Sequence, residues 1–149
     1  MYTNKLRMRL LMAGTLLLLI FTGACGTESV INGPAEQALA EKGDAFMTSL
    51  KDGDSKAIYD MMSLEAQQAV DKAKIIAGSW ANLDTVLKQS TLGIAGWEFD
   101  KARVFNKDGT TRGILDGKVE FADGKSGEVH LELVQQDGTW KISSSGLYD

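Results

Sequence analysis

Three Asp-Gly pairs, Asp108-Gly109, Asp123-Gly124 and Asp137-Gly138, cut the C-terminal part of the chain into segments of similar length. Aspartate followed by glycine tolerates the positive φ angles of tight hairpin turns, so the segments on either side of each pair are expected to be antiparallel neighbours. Apolar and polar residues alternate within the segments, which is the two-residue period of half-buried strands. Four strands are expected, over about 94–106, 110–122, 127–136 and 139–144. In the second, Gly113, Leu115, Gly117, Val119 and Phe121 share one face while Arg112, Asp116, Lys118 and Glu120 share the other. The third turns Val129, Leu131 and Leu133 inward and Glu128, His130 and Glu132 outward, and the fourth buries Trp140 and Ile142. In the first, Trp97 and Phe99 have one parity and Ala102 and Val104 the other, so a bulge is expected near Asp100-Lys101.

Before Gly93 the period is helical. Pro34 suits a first helical turn, and Leu39, Gly43, Phe46, Met47 and Leu50 recur at spacings of three and four, predicting a helix over about 34–51. Gly43 on that stripe permits close packing. Asp52-Gly53 ends the helix and Asp54 is placed to cap the next, with Ala57, Ile58, Met61 and Met62 inward. Ser63 opens a further helical piece with Ala66, Val70 and Ala73 inward, and Ile76, Trp80, Leu83 and Leu87 mark another amphipathic helix ending near 88–90. Three helices followed by a strongly curved four-stranded antiparallel sheet make an α+β domain, with the helices on one face of the sheet.

The N-terminus follows secretory grammar: Lys5, Arg7 and Arg9, then the apolar run of residues 10–21, then Thr22-Gly23-Ala24-Cys25. It resembles a bacterial lipoprotein precursor, whose signal ends in small residues before a cysteine that becomes the lipid-bearing N-terminus. Gly23, Ala24 and Cys25 match; Thr22 stands where that family usually has leucine. The resemblance implies a signal peptide over 1–24, lipidation of Cys25, a polar tether over 25–33 and a domain over 34–149, held to a bacterial cell-envelope membrane on its extracytoplasmic side. The alternative is an uncleaved anchor, since residues 10–27 carry no charge. Two or three acyl chains would hold the protein stably, at about 0.8 kcal/mol per buried methylene.

Sixteen basic against twenty acidic residues give a net charge of −4, and losing the leader with its three cations takes it to −7. Such a chain lacks the basic footprint that draws phosphate backbones or anionic lipid heads, so nucleic acid is excluded as a partner. A single cysteine excludes an internal disulfide framework, and with one histidine it leaves no transition-metal ligand set; no cofactor or metal is expected. Gly113 and Gly117 do not lead from a strand into a helix, so they form no phosphate loop. Ser143-Ser144-Ser145 lacks a neighbouring base. His130, Asp116 and Glu120 fall on the outer parity, which leaves Asp100, at the bulge, as the candidate acid for an interior pocket.

The order of helices and strands, with Phe46 and Leu50 before Asp52-Gly53-Asp54, then Ala57, Tyr59, Met62-Ser63, Glu65-Ala66 and the closing stretch 137–142, resembles the nuclear transport factor 2-like (NTF2-like) superfamily, and within it small bacterial lipoproteins. The resemblance covers about 34–145. It implies a cone-shaped, cystatin-like domain that binds a ligand or a partner, or in some branches an isomerase or dehydratase using a pocket acid. No catalytic residue is assigned here, and a lipid-anchored binding module is expected, with the pocket enzyme as the alternative. Tyr59, Trp80, Leu83, Trp97, Leu115, Gly117 and Leu131 are the candidate ligand-binding residues for a small apolar guest. Two interior glycines on one strand face are explained either by a bend or by a cavity beneath the helix bearing Trp80 and Leu83. The outer face, with Glu128, His130 and Glu132, is the candidate surface for a protein partner or a homodimer.

Overall fold

The computed structural model describes residues 31–90 and 93–148. Cys25, the leader and the tether up to residue 30 lie outside the described residues, as do the side chains of Ile76 and Leu87. Helix α1 (Pro34–Asp52) buries Leu39, Gly43, Phe46, Met47 and Leu50, which is the predicted stripe. Its end is a left-handed Gly53 at φ 67°, whose N–H reaches Leu50 O while the Asp54 N–H reaches Ser49 O. Asp54 then caps α2 (Ser55–Met61), its side chain accepting from Ala57 N at 2.9 Å. Ser63 caps α3 (Leu64–Ala77) by accepting from Ala66 N at 3.3 Å, so the further helical piece is a helix of 14 residues and the helices number four among the described residues, with α4 (Trp80–Ser90) completing the layer. No described helix is long and apolar enough to cross a membrane.

The sheet is a meander, β1 (Ile94–Lys107), β2 (Thr110–Phe121), β3 (Ser126–Gln136) and β4 (Thr139–Tyr148), paired antiparallel in that order. Positive φ at both Asp108 and Gly109, and again at Asp137 and Gly138, gives two-residue hairpin turns; at the middle turn only Gly124 is left-handed. The expected bulge in β1 is present, the register slipping between Phe99 and Lys101. The last strand runs to Tyr148, beyond the expected end at 144. A register shift in β4 explains why: Ile142 pairs with Leu133 and Ser144 with Glu132, so Ser143 is an extra residue and inward parity resumes at Ser145 and Leu147. A strand whose alternation breaks at three serines reads as finished when it has only slipped.

Helix α1 lies along the inner face of the sheet. An added Cβ at Gly43 would meet Leu115 Cδ1 at 2.5 Å and Phe99 Cε2 at 2.9 Å, so glycine sets how closely helix and sheet approach. Around that contact Leu39, Phe46, Met47, Leu115, Val119, Leu131, Leu133 and Ile142 form one core cluster. The joint between α2 and α3 is fastened to the sheet by a parallel bridge from Met62 to Ile142 and by Ser63 N–H donating to Ile142 O at 2.8 Å. Trp140, expected inside, is half-buried against the rim of this core.

Candidate functional site

The two faces of the sheet differ in kind. On the inner face Leu115 and Leu131 are 0% exposed, closed over by Leu39 and Met47 at the same level of burial. Neither inward glycine of β2 has room beside it. A Cβ at Gly113 would stand 2.4 Å from Leu39 Cδ1, and one at Gly117 only 2.1 Å from the backbone oxygen of Glu98. Gly117 therefore sits where the bulged β1 crosses close to β2, and its missing side chain admits a neighbouring backbone.

The outer face carries a groove of about 480 Å³, lined by charged groups of β1, β2 and β3 and by Tyr148. Across it, Lys101, Asp116, His130 and Gly146 stand in one cross-strand row, and Glu98, Lys118, Glu128 and Tyr148 in the next. Asp116 and His130 are direct partners, and His130 Nδ1 donates to Asp116 Oδ1 at 2.6 Å, a charge-assisted distance. Nε2 of the same ring faces Glu132 Oε1 at 3.6 Å, and Arg103 Nη2 approaches the second Asp116 oxygen at 3.8 Å. The hydrogen bond to Asp116 holds the imidazole pKa above its ordinary value, against partial burial, with Glu132 adding to the effect. Tyr148 closes one end: a Cβ on Gly146 would meet its hydroxyl at 2.4 Å, so the ring folds back over that glycine beside His130. A carboxylate thus stands at each ring nitrogen, an arrangement that favours the protonated ring over the neutral one relative to a free imidazole.

A scan against protein-family models finds no match, and a search of curated proteins finds none either. Among solved structures, the chain is similar to a protein from Campylobacter jejuni described as an NTF2-like transpeptidase, at 14% identity and a TM-score of 0.51, covering 71% of this chain and 97% of that one. The fold is NTF2-like. A de novo designed protein with a curved β-sheet is also similar, at 15% identity and a TM-score of 0.40, over 74% of this chain and 99% of the other.

Within this NTF2-like frame the candidate residues fall into separate places. Tyr59 and Trp80 come together edge to face, with ring centroids 5.4 Å apart, and the Tyr59 hydroxyl donates to Asp71 Oδ2 at 3.2 Å. Leu83 is half-buried on α4. Trp97 is tied to α1 instead, its indole N–H donating to Asp44 Oδ1 at 2.8 Å. Leu115, Gly117 and Leu131 belong to the packed inner face. Asp100 lines the outer groove, on the face away from the helices. Sequence reasoning assigned Asp116 and His130 to the same outer face without joining them; counting outward by equal steps from Asp123, the centre of the second turn, pairs them directly. Among the described residues no group of histidine, cysteine and carboxylates is arranged to hold a metal ion.

Proposed function

We propose that this chain is an envelope lipoprotein, held by lipid on Cys25, whose NTF2-like domain works by binding a protein partner on the outer face of its sheet and performs no chemistry of its own. The observation that carries the binding reading is the contrast between the faces: the inner one is filled by α1, while the outer one offers an open groove of alternating charges beside an aromatic ring. Such a lining suits polar side chains and backbone of another protein better than an apolar guest. Anchoring is supported by the leader and by Gly23-Ala24-Cys25.

A photo-cross-linking residue at Lys118, in full-length protein kept in its native membrane, tests the reading. It should give a discrete adduct that is absent when the same residue replaces Thr48, exposed on α1. Equal labelling at both sites, or none at Lys118, would sink it. The Asp116–His130 pair favours one second reading, a pocket enzyme of the isomerase or dehydratase type working in the same groove. That reading requires turnover which His130→Ala abolishes.

A further inference from the structure

The net negative charge of the chain conceals a local reversal. Residues 101–115 hold Lys101, Arg103, Lys107 and Arg112 against a single acid, Asp108. These residues are the β1–β2 hairpin, and its outward side presents Phe105, 39% exposed, in one cross-strand row with Arg112 and Val134. The next row places Arg103 beside Ile114 and Glu132. Phe105, Arg112, Ile114 and Glu132 of these rows border a depression of about 150 Å³ that Lys107 also lines. Among the described residues, neither Lys107 nor Arg112 has an ion-pair partner within 4 Å. Of the acids in the neighbouring rows, Glu132 faces His130, and Asp116 is shared by His130 and Arg103.

The place of this hairpin in the fold adds a second observation. Leu39 of α1 packs where a side chain on Gly113 would be, and Gly43, one turn later, packs on Leu115. Helix α1 therefore starts at the hairpin end of the sheet. Pro34 lies five residues before Leu39, about 7.5 Å along the helix, and the nine steps from Cys25 to Pro34 reach at most about 30 Å. An exposed aromatic ring among cations, two of them without an ion pair, at the end of the domain where α1 begins, matches the interface of an anionic bilayer: the ring enters the headgroup layer and the cations meet lipid phosphates.

We infer that the β1–β2 hairpin is a membrane-docking face for anionic lipid, with Phe105 as its wedge and Arg103, Lys107 and Arg112 as its phosphate contacts. The inference rests on the anchored reading above for its choice of partner. It also orients the domain, because the groove at His130 lies about 13 Å further along the strands and stays open to a partner while the hairpin is down.

The test uses full-length protein in vesicles of phosphatidylcholine, alone or mixed with phosphatidylglycerol, with bromine on the acyl chains as quencher. Phe105→Trp supplies the reporting indole, Lys125→Trp at the opposite end of β2 supplies the control, and the wild-type signal is subtracted from both. The indole at 105 should be quenched in the mixed vesicles, at least twofold more than the one at 125. That quenching should fall by half or more in high salt or on adding Lys107→Glu and Arg112→Glu, both at exposed positions where circular dichroism should report an unchanged fold. Equal quenching at 105 and 125, quenching indifferent to phosphatidylglycerol, or none at 105 would overturn the inference, the last result assigning the hairpin to a protein partner or to water. Mass analysis of Cys25 on the same samples separates the two readings. Lipid on Cys25 without quenching at 105 removes docking alone, whereas a chain without that lipid is still held by its apolar leader, so the indole at 105 still decides.

Discussion

His130 donates to Asp116 through Nδ1 and faces Glu132 through Nε2, so proton binding and folding are linked at this ring. Its folded-state pKa is raised by the Asp116 hydrogen bond. The stability it contributes is therefore complete below the unfolded value of about 6.5 and is lost as pH rises through the folded value. Denaturant midpoints measured from about pH 5 to pH 9 should fall with rising pH across that window, and His130→Ala should flatten this part of the curve while costing about 0.5–1 kcal/mol at its acid end. Identical curves for the two proteins would show that the pair does not form. The inner-face glycines allow a second comparison. Gly117→Ala meets a backbone oxygen that cannot move aside, whereas Gly113→Ala meets the end of a leucine side chain. Melting temperatures should place Gly117→Ala as the more damaging of the two, by about 1–3 kcal/mol of overpacking. That both glycines point inward was legible from alternation alone. That they are filled from outside was not, because strand parity carries no information about how near a helix or a bulged neighbour comes.

Helix α4 is joined to the start of α2 by one carboxylate: Ser55 N–H donates to Asp84 Oδ1 at 2.9 Å and the Ser55 hydroxyl donates to the same oxygen. Ser55 is 4% exposed, so Asp84→Ala leaves buried donors without an acceptor and should cost about 1–3 kcal/mol. Denaturant midpoints check the cost, and amide exchange should show α4 loosening before α1. The Ser55 hydrogen bonds hold the Asp84 carboxyl below the usual carboxylate range. This contribution is present above about pH 4 and disappears as pH falls through the lowered value, opposite in sense to that of His130. At the level of elements the sequence was readable wherever the period held. The α1 stripe and the β1 bulge, revealed by the switch of parity from Phe99 to Ala102, are where they were expected. The extra residue at Ser143 hid the second half of β4, because the break in alternation that marks a bulge also marks a strand end. The candidate site stayed hidden for a related reason: it is assembled from rows that cross β1 to β4, and each row needs the register of three hairpins at once.

For the whole molecule, charge illustrates what an average conceals. An acidic total argued against lipid heads, yet the β1–β2 hairpin sets Arg103, Lys107 and Arg112 around one exposed phenylalanine. Anchoring has its own test at this scale. Cys25→Ser in the full chain should abolish acylation and leave unprocessed precursor in the membrane, read by intact mass; wild-type protein that keeps residues 1–24 and carries no lipid would transfer the case to the uncleaved anchor. The bridge from Met62 to Ile142 has a further effect on the order of events. Ribosomes release the helices before the sheet, and α1 must wait for Leu115, Leu131 and Leu133 before its apolar stripe has anything to lie against. The α2–α3 joint waits longer still, for the carbonyl of Ile142 in β4. Three local hairpins zip quickly once they exist, but the helical layer has no template until they do. The packing of α1 and of the α2–α3 joint on the sheet should therefore be completed only after β4 has been made.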